Sequence, residues 1–170
     1  MKYIKQFELY AMVTNVTEED IIKLCEEYDI VGYNINDDMS IDVYDDVHIT
    51  GYGLEELPLT FNYISGDFSC ADNHLTTLKG CPIKVAGVFS CANNKLISLK
   101  YSPIEVGNNF NCSMNKLTSL KYAASNVDGK IHCHYNLLPI DIEYLKGDEL
   151  NILFKHQDEY DIWNNDGTFN

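Results

Sequence analysis

The chain has 170 residues, 12 basic and 26 acidic side chains, and a formal net charge of −14 with no arginine, a balance that disfavours ordinary nucleic-acid binding because arginine is the residue best shaped to fork onto phosphate and guanine edges. The length suits one domain, which would bury about 70% of its unfolded surface, and no apolar run is long enough to span a bilayer. Charge is unevenly spread: residues 1–63 carry 3 Lys and 14 acids, residues 64–138 carry 7 Lys and 4 acids, and residues 139–170 carry 2 Lys and 8 acids, so a mildly basic middle lies between acidic ends.

Residues 1–46 read as an N-terminal cap. Residues 1–11 have no clear type, and Lys5 and Glu8 break their apolar run, so no secretory signal is expected. Thr17-Glu18-Glu19-Asp20 predicts a helix over 18–28, with Thr17 as N-cap, Asp20 in the capping-box position, and Ile21, Ile22, Leu24 and Cys25 on the apolar face. "VGYNI" and "SIDVY" flank the turn-rich "NDDM" and predict a β-hairpin over 33–44.

Residues 47–138 repeat with a period of 21. The unit reads F-x-C-x-x-N-x-L-x-x-L-K-x-x-P-I-x-V-x-G, and its columns return in register. Phe68, Phe89, Phe110 and Ile131 share one position; Cys70, Cys91, Cys112 and Cys133 share the next, followed by Asn73, Asn94, Asn115 and Asn136. Leu75, Leu96, Leu117 and Leu138 follow, then Leu78, Leu99 and Leu120, then Pro82 and Pro103 with Ala124 as a lapse, and finally Val85, Val106 and Val127. A weaker copy precedes these, with Val47, Ile49, Leu54, Leu57, Ile64 and Gly66 in phase and Tyr52 in place of the Asn. Self-similarity at this period means stacked units, none able to bury its apolar face alone.

The spacing F-x-C-x-x-N-x-L resembles the leucine-rich-repeat signature, and the Pro-containing return resembles the short repeats of bacterial effector proteins. Runs such as "FSCANNKLISL" and "FNCSMNKLTSL" are also similar to small leucine-rich proteins encoded by bacteriophages. The resemblance implies an α/β solenoid with a parallel β-sheet on its concave face and extended segments on its convex side. It implies no enzymatic domain.

Each letter of the unit also has its own physical reason. Residues two apart on a strand point the same way, so Phe89 and Cys91 enter the core while Ser90 and Ala92 face out. Asn turns the chain, and successive Asn amides can form a ladder of bonds to backbone groups. Proline and glycine are expected to carry the return without a sheet partner. The four ladder cysteines read as reduced, buried, apolar side chains of a cytoplasmic protein, Cys25 lies on the helix, and Cys81 is expected in a loop where it could react.

Residues 139–170 read as a C-terminal cap: a short helix from Pro139 through Lys146, a strand in "ELNILFKH", and a hairpin in "YDIWNNDGTF".

Catalytic and cofactor signatures are missing from the sequence. His132 and His134 flank Cys133, but on a strand the histidines face away from the thiol, so no metal site is expected and no cofactor is implied. His48 and His74 are isolated, and the pairs Asp37-Asp38, Asp45-Asp46 and Glu55-Glu56 lack the ligand alternation of a calcium loop. The outward strand positions are small and weakly charged. They run through Asp67, Ser69 and Ala71, then Val88, Ser90 and Ala92, then Asn109, Asn111 and Ser113, and end on Lys130, His132 and His134 with Tyr135 beside them.

Such a face points to a non-enzymatic protein-protein interaction module, with Ser69, Ser90, Asn111, Lys130, His132, His134 and Tyr135 as its binding residues. The phage resemblance implies a host protein as partner, inhibited or redirected during infection, and neither nucleic acid nor membrane is expected to be bound directly. The alternative from the charge is an acidic DNA mimic, acting through Glu18, Glu19, Asp20, Glu26, Glu27 and Asp29. Finally, Lys79, Lys100 and Lys121 form one row and Lys95 and Lys116 a second, either as a solvated face or as a docking stripe for an acidic partner.

Overall fold

The repeated columns become a β-solenoid of about four turns in the computed structural model, which describes residues 16–138 and the backbone of residues 144–146. Helix α1 (Glu18–Glu27) opens the described chain with the expected capping box: Asp20 N–H donates to Thr17 Oγ1, and Thr17 N–H to the Asp20 carboxylate. Tyr28 terminates it as C-cap, and Ile21 and Cys25 face the core. Strands β1 (Tyr33–Ile35) and β2 (Ile41–Val43) then pair antiparallel, with Tyr33 opposite Val43, as the hairpin reading requires. The turn between them is held by Asp38, whose Oδ1 accepts from Ser40 N and Oγ.

The next four coils contribute two strands each. Strands β3 (Val47–His48), β5 (Phe68–Ser69), β7 (Phe89–Ser90), β9 (Phe110–Asn111) and β11 (Lys130–His132) form one parallel sheet, sheet B, in the register Phe68, Phe89, Phe110, Ile131. Strands β2, β4 (Phe61–Ile64), β6 (Lys84–Val85), β8 (Glu105–Val106) and β10 (Asn126–Val127) form a second, sheet A, with β1 on its edge. This corrects the expectation that the return has no sheet partner. The reason is geometric: an extended segment that recurs once per coil lies one strand spacing from its own copy, about 4.8 Å, and pairs with it. The valines Val85, Val106 and Val127 are buried on its inner side.

Between the sheets, Phe61 meets Phe68 edge-on at 5.1 Å, Phe68 stacks on Phe89 at 5.8 Å, and Phe89 meets Phe110 at 5.1 Å. Leu75, Leu78, Leu96, Leu99, Leu117 and Leu120 fill the core beneath the connector that leads from sheet B back to sheet A. Pro82, Pro103 and the Ala124 that replaces proline are all buried, so the column is kept for packing even where its chemistry lapses.

Strand β12 (Tyr144–Lys146) pairs antiparallel with β11, Ile131 opposite Leu145. This corrects the helix expected through Lys146: the last strand of sheet B has an edge to satisfy, and a backbone ladder wins over the local preference. The expectations for residues 1–11, for the start of that helix, for a strand in "ELNILFKH" and for the final hairpin lie outside the described residues. No described helix is long and apolar enough to cross a membrane.

Candidate binding surface

The asparagine column builds the corner where sheet B ends. Asn94 Nδ2 donates to the carbonyls of Cys70 (3.0 Å), Cys91 (3.2 Å) and Ala92 (3.2 Å), and its Oδ1 accepts from Leu75 N–H at 2.9 Å. Asn115 repeats the pattern one coil on, to Cys91, Cys112, Ser113 and Leu96, and Asn73 does so one coil back, to Ile49, Cys70, Ala71 and Leu54. Asn136 reaches Cys112, Cys133 and Leu117. Each amide therefore ties its own coil to the preceding one. The first coil has no parallel coil before it, which explains why Tyr52 can stand at the Asn position there, half exposed and packed edge-on against Tyr28 at 5.0 Å.

The cysteines sit just inside this corner. All six thiols are free and buried. Burial pushes the thiols of Cys91 and Cys112 well up and that of Cys133 up to about 11. Cys81 is not the reactive loop thiol expected: it too is buried, and burial first, then a hydrogen bond with Cys70, raises its pKa. Pro82 beside it is likewise buried, so the return carries Cys81 under the core instead of out to solvent.

On the outward side of sheet B the expected residues are found along one face, although not all are open. Ser69 and Ser90 are half-buried, Ser69 Oγ lies 3.0 Å from Thr50 Oγ1, and Ala71 is buried, against expectation. Further along, Ser113 is also buried, at 1% exposure: its hydroxyl donates to Asn111 Oδ1 at 2.6 Å and lies 3.1 Å from His134 Nδ1. A row that alternates in and out on an ideal strand is here covered by its own neighbours, because the strands of sheet B are only two or three residues long before the Asn corner bends them.

Ser113 and His134 are the one hydroxyl-imidazole pair in this surface, and sequence spacing did not single them out. The serine hydrogen is committed to Asn111, which leaves the pair as part of a hydrogen-bonded row. His132 is half-buried, Lys130 is exposed, and Tyr135 is the most exposed large hydrophobic side chain among the described residues at 76%, edge-on to His134 at 5.0 Å. These residues make the C-terminal end of the face its largest feature. Among the described residues no cluster of three His, Cys, Asp or Glu side chains could hold a metal ion.

A second ladder, missed in the sequence, runs along the opposite corner, between sheets A and B. Asp46 Oδ1 accepts from Asp67 N–H, Asp67 Oδ1 from Val88 N–H (both 2.7 Å), and Asn109 Oδ1 from Lys130 N–H (2.8 Å). Glycine accompanies each acceptor, because a Cβ on Gly66, Gly87 or Gly129 would run into Asp46, Asp67 or Asn109 Oδ1 respectively. Where the column lapses at Val88, the glycine lapses with it and Asn108 takes its place. That paired lapse was the available signal.

No protein-family model, curated protein or solved structure matches this chain.

Proposed function

We propose that the chain is a non-enzymatic protein-binding module of bacteriophage origin that holds a host protein and inhibits or redirects it. The supporting observation is the outward face of sheet B: small, half-buried side chains at Ser69, Ser90 and Asn111, with Ser69 bonded to Thr50 and Asn111 to Ser113, ending in His132, His134 and exposed Tyr135. A flat face lets another backbone approach closely, and interfaces concentrate their energy in a few large anchors. The acidic-mimic reading has less support, since residues 73–127 hold one acid, Glu105, and interrupt any continuous row of carboxylates.

The experiment is capture from bacterial lysate on immobilised protein. A partner held by wild type and lost by His132→Ala/Tyr135→Ala, with folding intact, supports the reading. Retention by that variant, with loss when Glu26, Glu27 and Asp29 are changed to their amides, would move the acidic mimic ahead.

A further inference from the structure

The connector flank, the strip of surface between the Asn corner and sheet A, is unlike the rest of the molecule in charge, and it carries one of two left-handed columns, the other being Asp72, Asn93, Met114 and Tyr135 beside the Asn corner. Gly80, Tyr101 and Tyr122 occupy one column, 21 residues apart, and all three have left-handed backbones, with φ of 93°, 73° and 70°. That conformation is ordinary for glycine and costly for a bulky side chain. Core packing does little to offset the cost, because Tyr101 and Tyr122 are 53% and 54% exposed. Strain at exposed side chains is a starting point for a functional hypothesis; Met114 and Tyr135 share it at the other column, so the charge of the surroundings is what marks this flank.

The surroundings indicate what such rings would meet. Lys100 Nζ lies 5.0 Å from the centroid of the Tyr101 ring, and Lys121 Nζ lies 5.6 Å from that of Tyr122. Lys95, Lys116 and an Ile97 side chain at 70% exposure share the flank. Residues 73–127 contain six lysines against the single acid Glu105, and Glu105 is paired with Lys84 at 2.7 Å on sheet A. Here the lysine rows run along the stacking direction, one coil apart.

We propose that this flank is a docking surface for an acidic polypeptide segment that carries aromatic or aliphatic side chains among its carboxylates. Lysine ammoniums meet the carboxylates as point charges, and Tyr101, Tyr122 and Ile97 receive the apolar groups. Charge complementarity selects the occupant. Phosphate-rich partners are disfavoured by the lack of arginine forks and by the net charge of −14, whereas a short acidic segment senses mainly the lysines within a Debye length. The proposal rests on the protein-binding reading for its class of partner and differs from it in place, since the flank is distinct from the His132 end of sheet B.

The test measures binding of a fluorescent random copolymer of glutamate and tyrosine, of polyglutamate and of a 20-mer oligothymidylate, to wild type and to Tyr101→Gly/Tyr122→Gly. Glycine relieves the left-handed strain, so this variant should keep or raise its melting temperature while losing about tenfold or more in copolymer affinity, the effect of removing aromatic anchors. Lys95→Gln/Lys100→Gln/Lys116→Gln should weaken binding and flatten its salt dependence, and His132→Ala should leave it unchanged. Copolymer binding that survives the glycine variant, a lowered melting temperature in that variant, or no copolymer binding by wild type would overturn the proposal. So would preferential binding of the oligothymidylate, or self-association in sedimentation that the lysine variant abolishes. Loss of the lysate partner on His132→Ala/Tyr135→Ala, with copolymer binding absent, would sink the flank and leave the sheet-face reading standing.

Discussion

Each coil turns twice beside sheet B, and the two corners follow different rules. At the Asn corner the side chain never lapses through Asn73, Asn94, Asn115 and Asn136, and the first three are buried. Across the molecule, at the Asp-Gly corner, the acceptor disappears at Val88 and the solenoid continues. The difference is access to water. Carbonyls of Cys70 and Cys91 and the N–H of Leu75 lie inside the stack, where only the amide can reach them, and an unpaired buried group carries its full desolvation cost. Backbone at the outer corner is partly solvated, so water can substitute for a missing carboxylate.

The comparison is broken most directly at Asn94. Asn94→Ala strands several buried groups at once and should destabilise by about 3 kcal/mol, read as a lower urea midpoint with unchanged slope. The proper control is Asn93→Gly, since Asn93 is exposed and has φ 52°, where alanine would add its own strain. Equal midpoints for the two variants would remove the amide ladder from the account.

Gly87→Ala probes the other corner. A Cβ there meets Asp67 Oδ1 and the backbone of Gly66, and forced overpacking of this kind costs about 2 kcal/mol. Adding Asp67→Ala should recover part of the loss, because the carboxylate is one of the two obstacles. A double variant whose loss equals the sum of the single ones would show that the glycine does not answer to its acceptor.

Alkaline pH attacks the Asn corner from inside. The Cys133 thiol is raised from its ordinary 9.0 to about 11 by burial, so the folded state holds its proton more tightly than the unfolded chain. The resulting stabilisation is complete below pH 9 and is lost as pH rises from there through 11. Cys91 and Cys112 shift in the same direction. Urea midpoints should fall over that window, and native thiol labelling at pH 8 should be slow; fast labelling of Cys91 or Cys112 would contradict their enclosure.

The smallest expected effect sharpens the contrast by repairing the lapse. Val88→Asn with Asn108→Gly restores the acceptor and the glycine that goes with it, for a gain of about 0.5 to 1 kcal/mol. Val88→Asn alone should gain less, because Asn108 keeps a side chain where the acceptor must sit. Identical midpoints for the single and double variants would end the pairing argument.

Much of this architecture was legible in the residues themselves. A period of 21 with fixed Phe, Cys, Asn, Leu and Val columns determines a parallel stack, since chemically identical positions can be buried together only if they lie above one another. The Thr17 and Asp20 capping box and the "NDDM" hairpin turn were local signals, and local geometry was enough to realise them. What only the tertiary structure decided concerns neighbours from different coils. The return became a second sheet, Cys81 went under the core, Asn111 and His134 closed over Ser113, and Tyr144–Lys146 joined the edge of β11 as a strand. Periodicity tells which side chains recur. Whether a recurring segment pairs, is covered or stays open depends on groups that meet only after the coils have stacked.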